Sequence, residues 1–193
     1  MDKEKLNEEQ LLENPWKTLS SEPVFDSPWI NVTKHEVINP AGNPGNYSVV
    51  HFKNTAIGIL PLDENLNTWI VGQFRYPLKK YSWEIPEGGG KLDVPALDSA
   101  KRELLEETGI VANKWTPILE MHLSNSVSDE HAMIFIAQNL SFKEAQPEET
   151  EELQVKKIHF NELFNMVMDG QITDSMSVAA VLKTKILIDQ GEL

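Results

Sequence analysis

The sequence predicts an α+β fold, on three observations. Most regularly patterned segments are short and rich in β-branched or apolar residues, as strands are. One segment near the middle repeats apolar residues at helical spacing, and two more read as helices near the C-terminal end. The order is therefore strands, one central helix, more strands, then helices. That order suggests a sandwich and not a regular βαβ alternation.

The elements follow in turn. Met1 to Asn14 reads as a short polar helix or a frayed tail. Trp29 to Ile38 mixes β-branched and polar residues, as an exposed strand does, and Tyr47 to Phe52 resumes that character after the turn-rich Pro40 to Asn46. Thr55 to Leu62 and Thr68 to Phe74 are apolar runs around Asp63-Glu64-Asn65, which reads as a hairpin. Pro86 to Gly90 breaks regular structure. A helix is expected next, with Asp93 as its cap and Pro95 in its first turn. Leu97, Ala100 and Leu104 give that helix a buried face, and Gly109 suits a left-handed stop. Pro117 to Leu123 and Ala132 to Ala137 read as strands. An acidic loop, Glu144 to Glu152, leads to a last strand at Val155 to Phe160. Asn161 to Met168 and Ser177 to Ile188 read as terminal helices. No internal repeat or low-complexity segment is visible.

Composition narrows the function classes. The chain has 193 residues, 40% of them hydrophobic, which suits one domain with a small extension and a real core. Its formal net charge is -13. So acidic a chain repels phosphate backbones, and nucleic acid is not an expected partner. A phosphorylated small molecule would need metal ions or a few Arg and Lys side chains to approach. Plain solubility is the bland reading of the same acidity. There is no cysteine, which removes disulfides, zinc thiolates and cysteine nucleophiles. The charged N-terminus has no apolar core for a signal peptide, and no apolar run is long enough for a bilayer. A cytoplasmic protein without a membrane partner is the expectation.

The chemistry gathers in Arg102-Glu103-Leu104-Leu105-Glu106-Glu107-Thr108-Gly109. Glu103 and Glu107 lie one helical turn apart, with Glu106 beside them. Like charges at this spacing, near a helix C-terminus, are mildly unfavourable. One reading is a cation held by the cluster, and Mg²⁺ prefers such oxygen donors. The other is a solvated face with an Arg102–Glu106 pair. Gly88-Gly89-Gly90 ahead of the helix permits a close backbone approach to a ligand and favours the first.

The combined pattern resembles the Nudix box, Gly-x5-Glu-x7-Arg-Glu-U-x-Glu-Glu-x-Gly-U with U aliphatic. Gly88, Arg102, Glu103, Leu104, Glu106, Glu107, Gly109 and Ile110 stand at its positions. Val94 stands where the family has its first Glu, which there supports the Arg and the loop; Asp93 or Asp98 is a candidate to take over. Gln73 to Pro77, Trp83 to Gly88 and Gly170 to Asp174 look like segments of the ADP-ribose and nucleotide-sugar pyrophosphatase branch.

The resemblance implies a Nudix-type α/β/α sandwich around a mixed sheet. It also implies an N-terminal antiparallel β extension that packs across a homodimer; a loose hairpin on a monomer is the alternative. The division expected is 1–52 for the tail and extension and 53–193 for the hydrolase domain. The implied reaction is Mg²⁺-dependent hydrolysis of a nucleoside diphosphate sugar, with Mn²⁺ as an alternative ion. Glu103, Glu106, Glu107, the carbonyl of Glu87, and Glu151 are the implied metal donors. Glu149 is the candidate base, and Glu151 and Arg102 join it as catalytic candidates; a solvated acidic loop is the plain reading of Glu149 and Glu151.

Arg75 reads as a contact for phosphates or the terminal ribose, or as a strand-end salt bridge. Glu84 reads as a sugar-hydroxyl ligand or a structural hydrogen bond. Trp29 reads as a base-stacking residue or as a core or interface tryptophan. The five histidines form no ligand pair in the sequence, and Ser124, Ser126 and Ser128 belong to no visible triad. ADP-ribose enzymes of this branch commonly carry a Pro about fifteen residues past the box; Ser124 to Ser128 has none, which favours nucleotide sugars over ADP-ribose. A non-catalytic Nudix-fold sensor is the rival, although such modules typically lose the helix acids retained here.

Overall fold

The computed structural model describes residues 13–145 and 153–193. Most of the N-terminal tail, and the acidic loop from 146 to 152 with Glu149 and Glu151, lie outside the described residues.

The chain divides into two compact units. The first contains a three-stranded antiparallel sheet of β1 (Lys17–Asp26), β2 (Ile30–Ile38) and β3 (Pro44–Phe52), in that order, together with Ser126–Asp129. Local chemistry sets its turns. Asn39 Oδ1 accepts from the amides of Ala41 and Asn43 at 3.0 Å each, and Gly42 supplies the positive φ of 85°. The loop of Ser126–Asp129 is tied to β3 by Val50 N to Val127 O at 2.8 Å and by Phe52 N to Asp129 Oδ1 at 2.9 Å. β1 is exposed along its whole length, including Leu19, Val24 and Phe25.

The second unit holds the remaining strands and all the described helices. One sheet runs β7 (Glu87–Lys91), β4 (Asn54–Pro61), β9 (His131–Phe142), β8 (Ile110–His122). β4 lies parallel to β9 and antiparallel to β7, so the sheet is mixed. The other runs β10 (Gln154–His159), β5 (Asn67–Arg75), β6 (Lys80–Glu84), all antiparallel. The helices are α1 (Ala96–Thr108), α2 (Phe160–Met168) and α3 (Ser175–Asp189).

Two apolar clusters show why this is a sandwich. Side chains alternate across a strand, so each strand feeds both faces. Ile57 and Ile59 of β4, with Phe135 and Ala137 of β9, join Ala100 and Leu104 of α1. Leu60 of β4, with Ala132, Ile134 and Ile136 of β9, joins Phe160 and Leu163 of α2 and Ala180 and Val181 of α3. Helices therefore cover both faces, as the sequence led us to expect.

Three local expectations are corrected. β4 and β5 are not a hairpin, because they belong to different sheets. Asp63 accepts from Asn65 N, Asn67 N and Asn67 Nδ2, and Leu66 takes φ 58°, which turns a corner between sheets. The Gly-rich segment is a strand, not a break, because Gly88 to Gly90 pair with β4 from Thr55 to Ile57. Asp93 does not cap α1: Pro95 is its N-cap, with no side-chain bond, and its carbonyl accepts from Asp98 N and Ser99 N. Gly109 does end the helix at φ 71°, with its amide bonded to Leu105 O at 2.9 Å. Among the described residues no helix is long and apolar enough to cross a membrane.

Candidate active site

The site is built where α1 packs on β7. Helical spacing puts Ala100 and Leu104 into the core, and Glu103 and Glu107 share enough of that face to be drawn inward. Glu103 is 9% exposed and Glu107 is 2% exposed. The glycine at 88 makes this packing feasible. A Cβ there would fall onto the Glu103 carboxylate, so glycine lets the strand pass over that carboxylate without displacing it. The next residue back fixes the second acid: Glu87 N donates to Glu107 Oε2 at 3.1 Å.

Two guanidinium groups balance these acids. Arg75, at the end of β5, donates from Nη2 to Glu84 Oε2 at 2.5 Å and to Glu87 Oε1 at 2.6 Å, and its Nε also bonds Glu84. Burial works against the Arg75 charge, yet the Glu84 hydrogen bond and the charges of Glu87, Glu84 and Asp174 outweigh it and raise its pKa. Arg102 donates to Glu103 Oε1 at 2.5 Å, to Glu106 Oε2 at 2.6 Å and to Gly89 O at 3.1 Å. Val94 is 39% exposed, and Asp98 pairs with Lys101, not with Arg102. Support for Arg102 thus comes from α1 and β7 and not from the acids suggested by the sequence.

Glu87 is strongly perturbed. Burial first, then the charges of Asp174 and Glu84, push its carboxyl well above the ordinary carboxylate range, against the pull of Arg75. Its Oε2 is buried without a hydrogen-bond partner. An orphaned carboxylate oxygen costs about 1–3 kcal/mol or more when nothing meets it. Oxygen donors, excess negative charge and an unmet acceptor fit a hard divalent cation. Among the described residues no group of three His, Asp or Glu side chains is already arranged to hold a metal. Arg102 lies on Glu103 and Glu106 instead.

A pocket of about 400 Å³ shares Glu87 with this cluster and is lined also by Arg75, Glu84, Glu130, Thr173 and Asp174. Asp174 caps α3 through Oδ2 to Ser177 N at 2.7 Å. Glu130 is raised above the ordinary range by burial. Sequence reading assigned neither Asp174 nor Glu130 to the site. Asp174 stood in a segment already noted for its likeness to the pyrophosphatase branch, but nothing in the sequence brings Glu130 beside it.

The other candidates sort as follows. Arg75 and Glu84 form the salt bridge that the structural reading of Arg75 expected at the strand end, and both also line the pocket. Trp29 belongs to the first unit and is 67% exposed, which removes the core reading. His122 and His131, distant in sequence, oppose each other across β8 and β9 with ring centroids 5.4 Å apart.

Comparison with known proteins agrees with this architecture. Residues 52–175 match the family described as NUDIX domain, and residues 16–50 match that described as nucleoside diphosphate sugar hydrolase N-terminal domain. An ADP-ribose pyrophosphatase of Mycobacterium tuberculosis is 30% identical over 179 residues, covering 89% of this chain and 84% of that protein. One of Bacillus subtilis is 29% identical over 167 residues, covering 86% and 90%. The fold matches a crystal structure described as an ADP compounds hydrolase with a TM-score of 0.82 at 20% identity, covering 92% of this chain and 97% of that one. With Gly88 packed against the helix acid Glu103 and the match running from 52 to 175, this chain belongs to the NUDIX family, and its strands ahead of that domain match the nucleoside diphosphate sugar hydrolase N-terminal domain.

Proposed function

We propose that the protein hydrolyses the diphosphate of nucleoside diphosphate sugars, with Mg²⁺ or Mn²⁺ bound, to a nucleoside monophosphate and a sugar phosphate. The observation that carries this reading is the pair of buried acids on α1, Glu103 packed against Gly88 and Glu107 bonded to the Glu87 amide, beside the unpartnered Glu87 Oε2. Glu103, Glu106, Glu107 and the carbonyl of Glu87 would hold the metal. Bound divalent ions offset the diphosphate charge and lower the pKa of a water nucleophile. Around them the Glu87 amide orients Glu107, and Arg75 braces Glu84 and Glu87 from the pocket side. Glu149 is the proposed base and Glu151 a further metal donor.

ADP-ribose is the second candidate, favoured by the names of the two relatives. The retained helix acids argue against a non-catalytic sensor. The test is a panel of ADP-ribose, ADP-glucose, GDP-mannose, UDP-sugars and dinucleotides with either ion, scored for monophosphate release. Glu107→Gln is expected to lower turnover by about a hundredfold or more while the fold is kept. Normal turnover in that variant, or no hydrolysis anywhere on the panel, refutes the reading.

The domain over 1–52 is proposed to pair two copies. Its support is β1, a ten-residue strand exposed throughout and carrying Leu19, Val24 and Phe25. Such an edge is normally covered. Light scattering after size exclusion is expected to give a dimer mass. Glu substitutions at Leu19 and Phe25 are expected to give a monomer, and a wild-type monomer rules pairing out.

A further inference from the structure

The two sheets of the second unit are joined by a two-residue link that neither ladder holds. β6 leaves its sheet at Glu84, paired with Val71, and β7 enters the other at Glu87, paired with Gly58. Ile85 and Pro86 cross between them, so this link sets how Glu84 and Glu87 stand to one another. Proline has no N–H, which leaves the Ile85 amide as the link's one backbone donor. That amide donates to Ser177 Oγ on α3 at 3.0 Å, and Pro86 O accepts from Ile59 N of β4 at 2.8 Å. Ile85 and Ser177 are both fully buried, so water does not stand in for either partner. Ser177 is itself held, because its amide donates to the Asp174 side chain that caps α3. A serine near a helix start readily serves its own helix's backbone. The Ser177 oxygen instead meets an amide of another element.

We infer that Ser177 is a positioning residue for the hydrolysis, whose hydroxyl fixes the sheet-to-sheet link from α3 and, through it, the Glu87 peptide. The amide of that peptide holds Glu107, and its carbonyl is a proposed metal donor. The inference rests on the proposed hydrolase reading and adds to it a residue that lies far beyond the box in the chain. Without the Ser177 hydroxyl the Ile85 amide has to shift to find an acceptor, and the peptide two residues on shifts with it.

The experiment measures kcat and KM, and separately the melting temperature against Mg²⁺ concentration without substrate, in the full chain. Ser177→Ala leaves a buried amide without its acceptor, and Ser177→Cys keeps the volume but offers only a weak one. Val181→Ala, one turn on along the same buried face, damages the packing of α3 and leaves the bond in place. Ser177→Ala, assayed well below its melting temperature, is expected to lose about tenfold or more in kcat with KM within about threefold of wild type. The Mg²⁺ concentration giving half of the melting gain is expected to rise by about tenfold, as it does when groups that orient a metal's ligands are removed. Ser177→Cys is expected to move both readouts the same way to a smaller extent, and it decides the matter if the alanine variant does not fold. Val181→Ala is expected to melt lower while kcat and the Mg²⁺ midpoint stay within about threefold of wild type. Wild-type kcat and Mg²⁺ response in a folded Ser177 variant make the bond merely structural and overturn the inference, and so does an equal loss in Val181→Ala. Either result leaves the hydrolase reading standing. If the wild type cleaves nothing on the substrate panel, the hydrolase reading falls and the inference with it.

Discussion

Gly88 has no room for a side chain, and its restriction is steric, not conformational. Its φ is not among the positive ones, and the obstacle is the Glu103 carboxylate where a Cβ would stand. Gly88→Ala must therefore displace the Glu103 carboxylate from where it stands, or move β7. Overpacking of this kind costs about 1–3 kcal/mol. A lower melting temperature is expected together with a loss of turnover of about tenfold or more, since misplacing a catalytic group by about an ångström is expensive. Wild-type melting and turnover in Gly88→Ala would show that the close approach is immaterial. Gly90 meets a smaller overlap but stiffer neighbours, the buried Ser99 side chain and Ile57. The same residue scale explains what the motif left undecided. The box spacing announced Arg102, and its pair with Glu106 was one reading of that spacing. With Val94 in place of an acid the sequence offered Asp93 or Asp98 as further support, but Gly89 O takes that place, and a backbone carbonyl leaves no trace in residue identity.

At the scale of elements, the corner between β4 and β5 is fixed by one side chain. Asp63 accepts from Asn67 N at 2.7 Å and from Asn65 N at 3.0 Å, and pairs with Lys157 at 3.1 Å. Burial raises its pKa, but hydrogen bonds from Asn67, Lys157 and Asn65 outweigh burial and leave it below the ordinary value of 3.8. A carboxyl with a depressed folded-state pKa contributes stability that is fully present above the unfolded value. That contribution fades as pH falls through the folded value. Asp63→Ala is accordingly expected to lose about 1–3 kcal/mol near neutral pH by denaturant unfolding, and its deficit should narrow in acid below 3.8. A deficit that does not change with pH would assign the loss to packing alone. This corner also marks where the sequence became hard to read. Two apolar runs around Asp-Glu-Asn look like a hairpin because pairing partners are not written locally. β4 instead finds β9, parallel and far along the chain, and β5 finds β10. The Gly-rich strand was hidden for the same reason, since its glycines carry no strand propensity and pair because β4 and α1 leave them the space. By contrast α1, α2, α3 and the alternating β9 were legible, because apolar periodicity is a local signal.

For the whole molecule, the decisive quantity is a charge of -13 on a protein proposed to bind an anionic substrate. Global repulsion and local need for a cation predict different responses to added salt. If Mg²⁺ merely screened the surface, NaCl at equal ionic strength would stabilise the protein as much, and no single substitution would matter. If the ion is held by the acids of α1 and by Glu87, it binds the folded chain and not the unfolded one. Stability then rises by about 2.7 kcal/mol when the ion is at a hundred times its dissociation constant. The part of that gain specific to the site should vanish in Glu107→Gln and return to baseline in wild type on adding EDTA. The measurement is a melting series in Mg²⁺ against NaCl at matched ionic strength, without substrate. Equal gains from the two salts, or an undiminished Mg²⁺ gain in Glu107→Gln, would place the ion elsewhere. A specific gain would tie the buried acids, destabilising when left together, to the cation that justifies their burial.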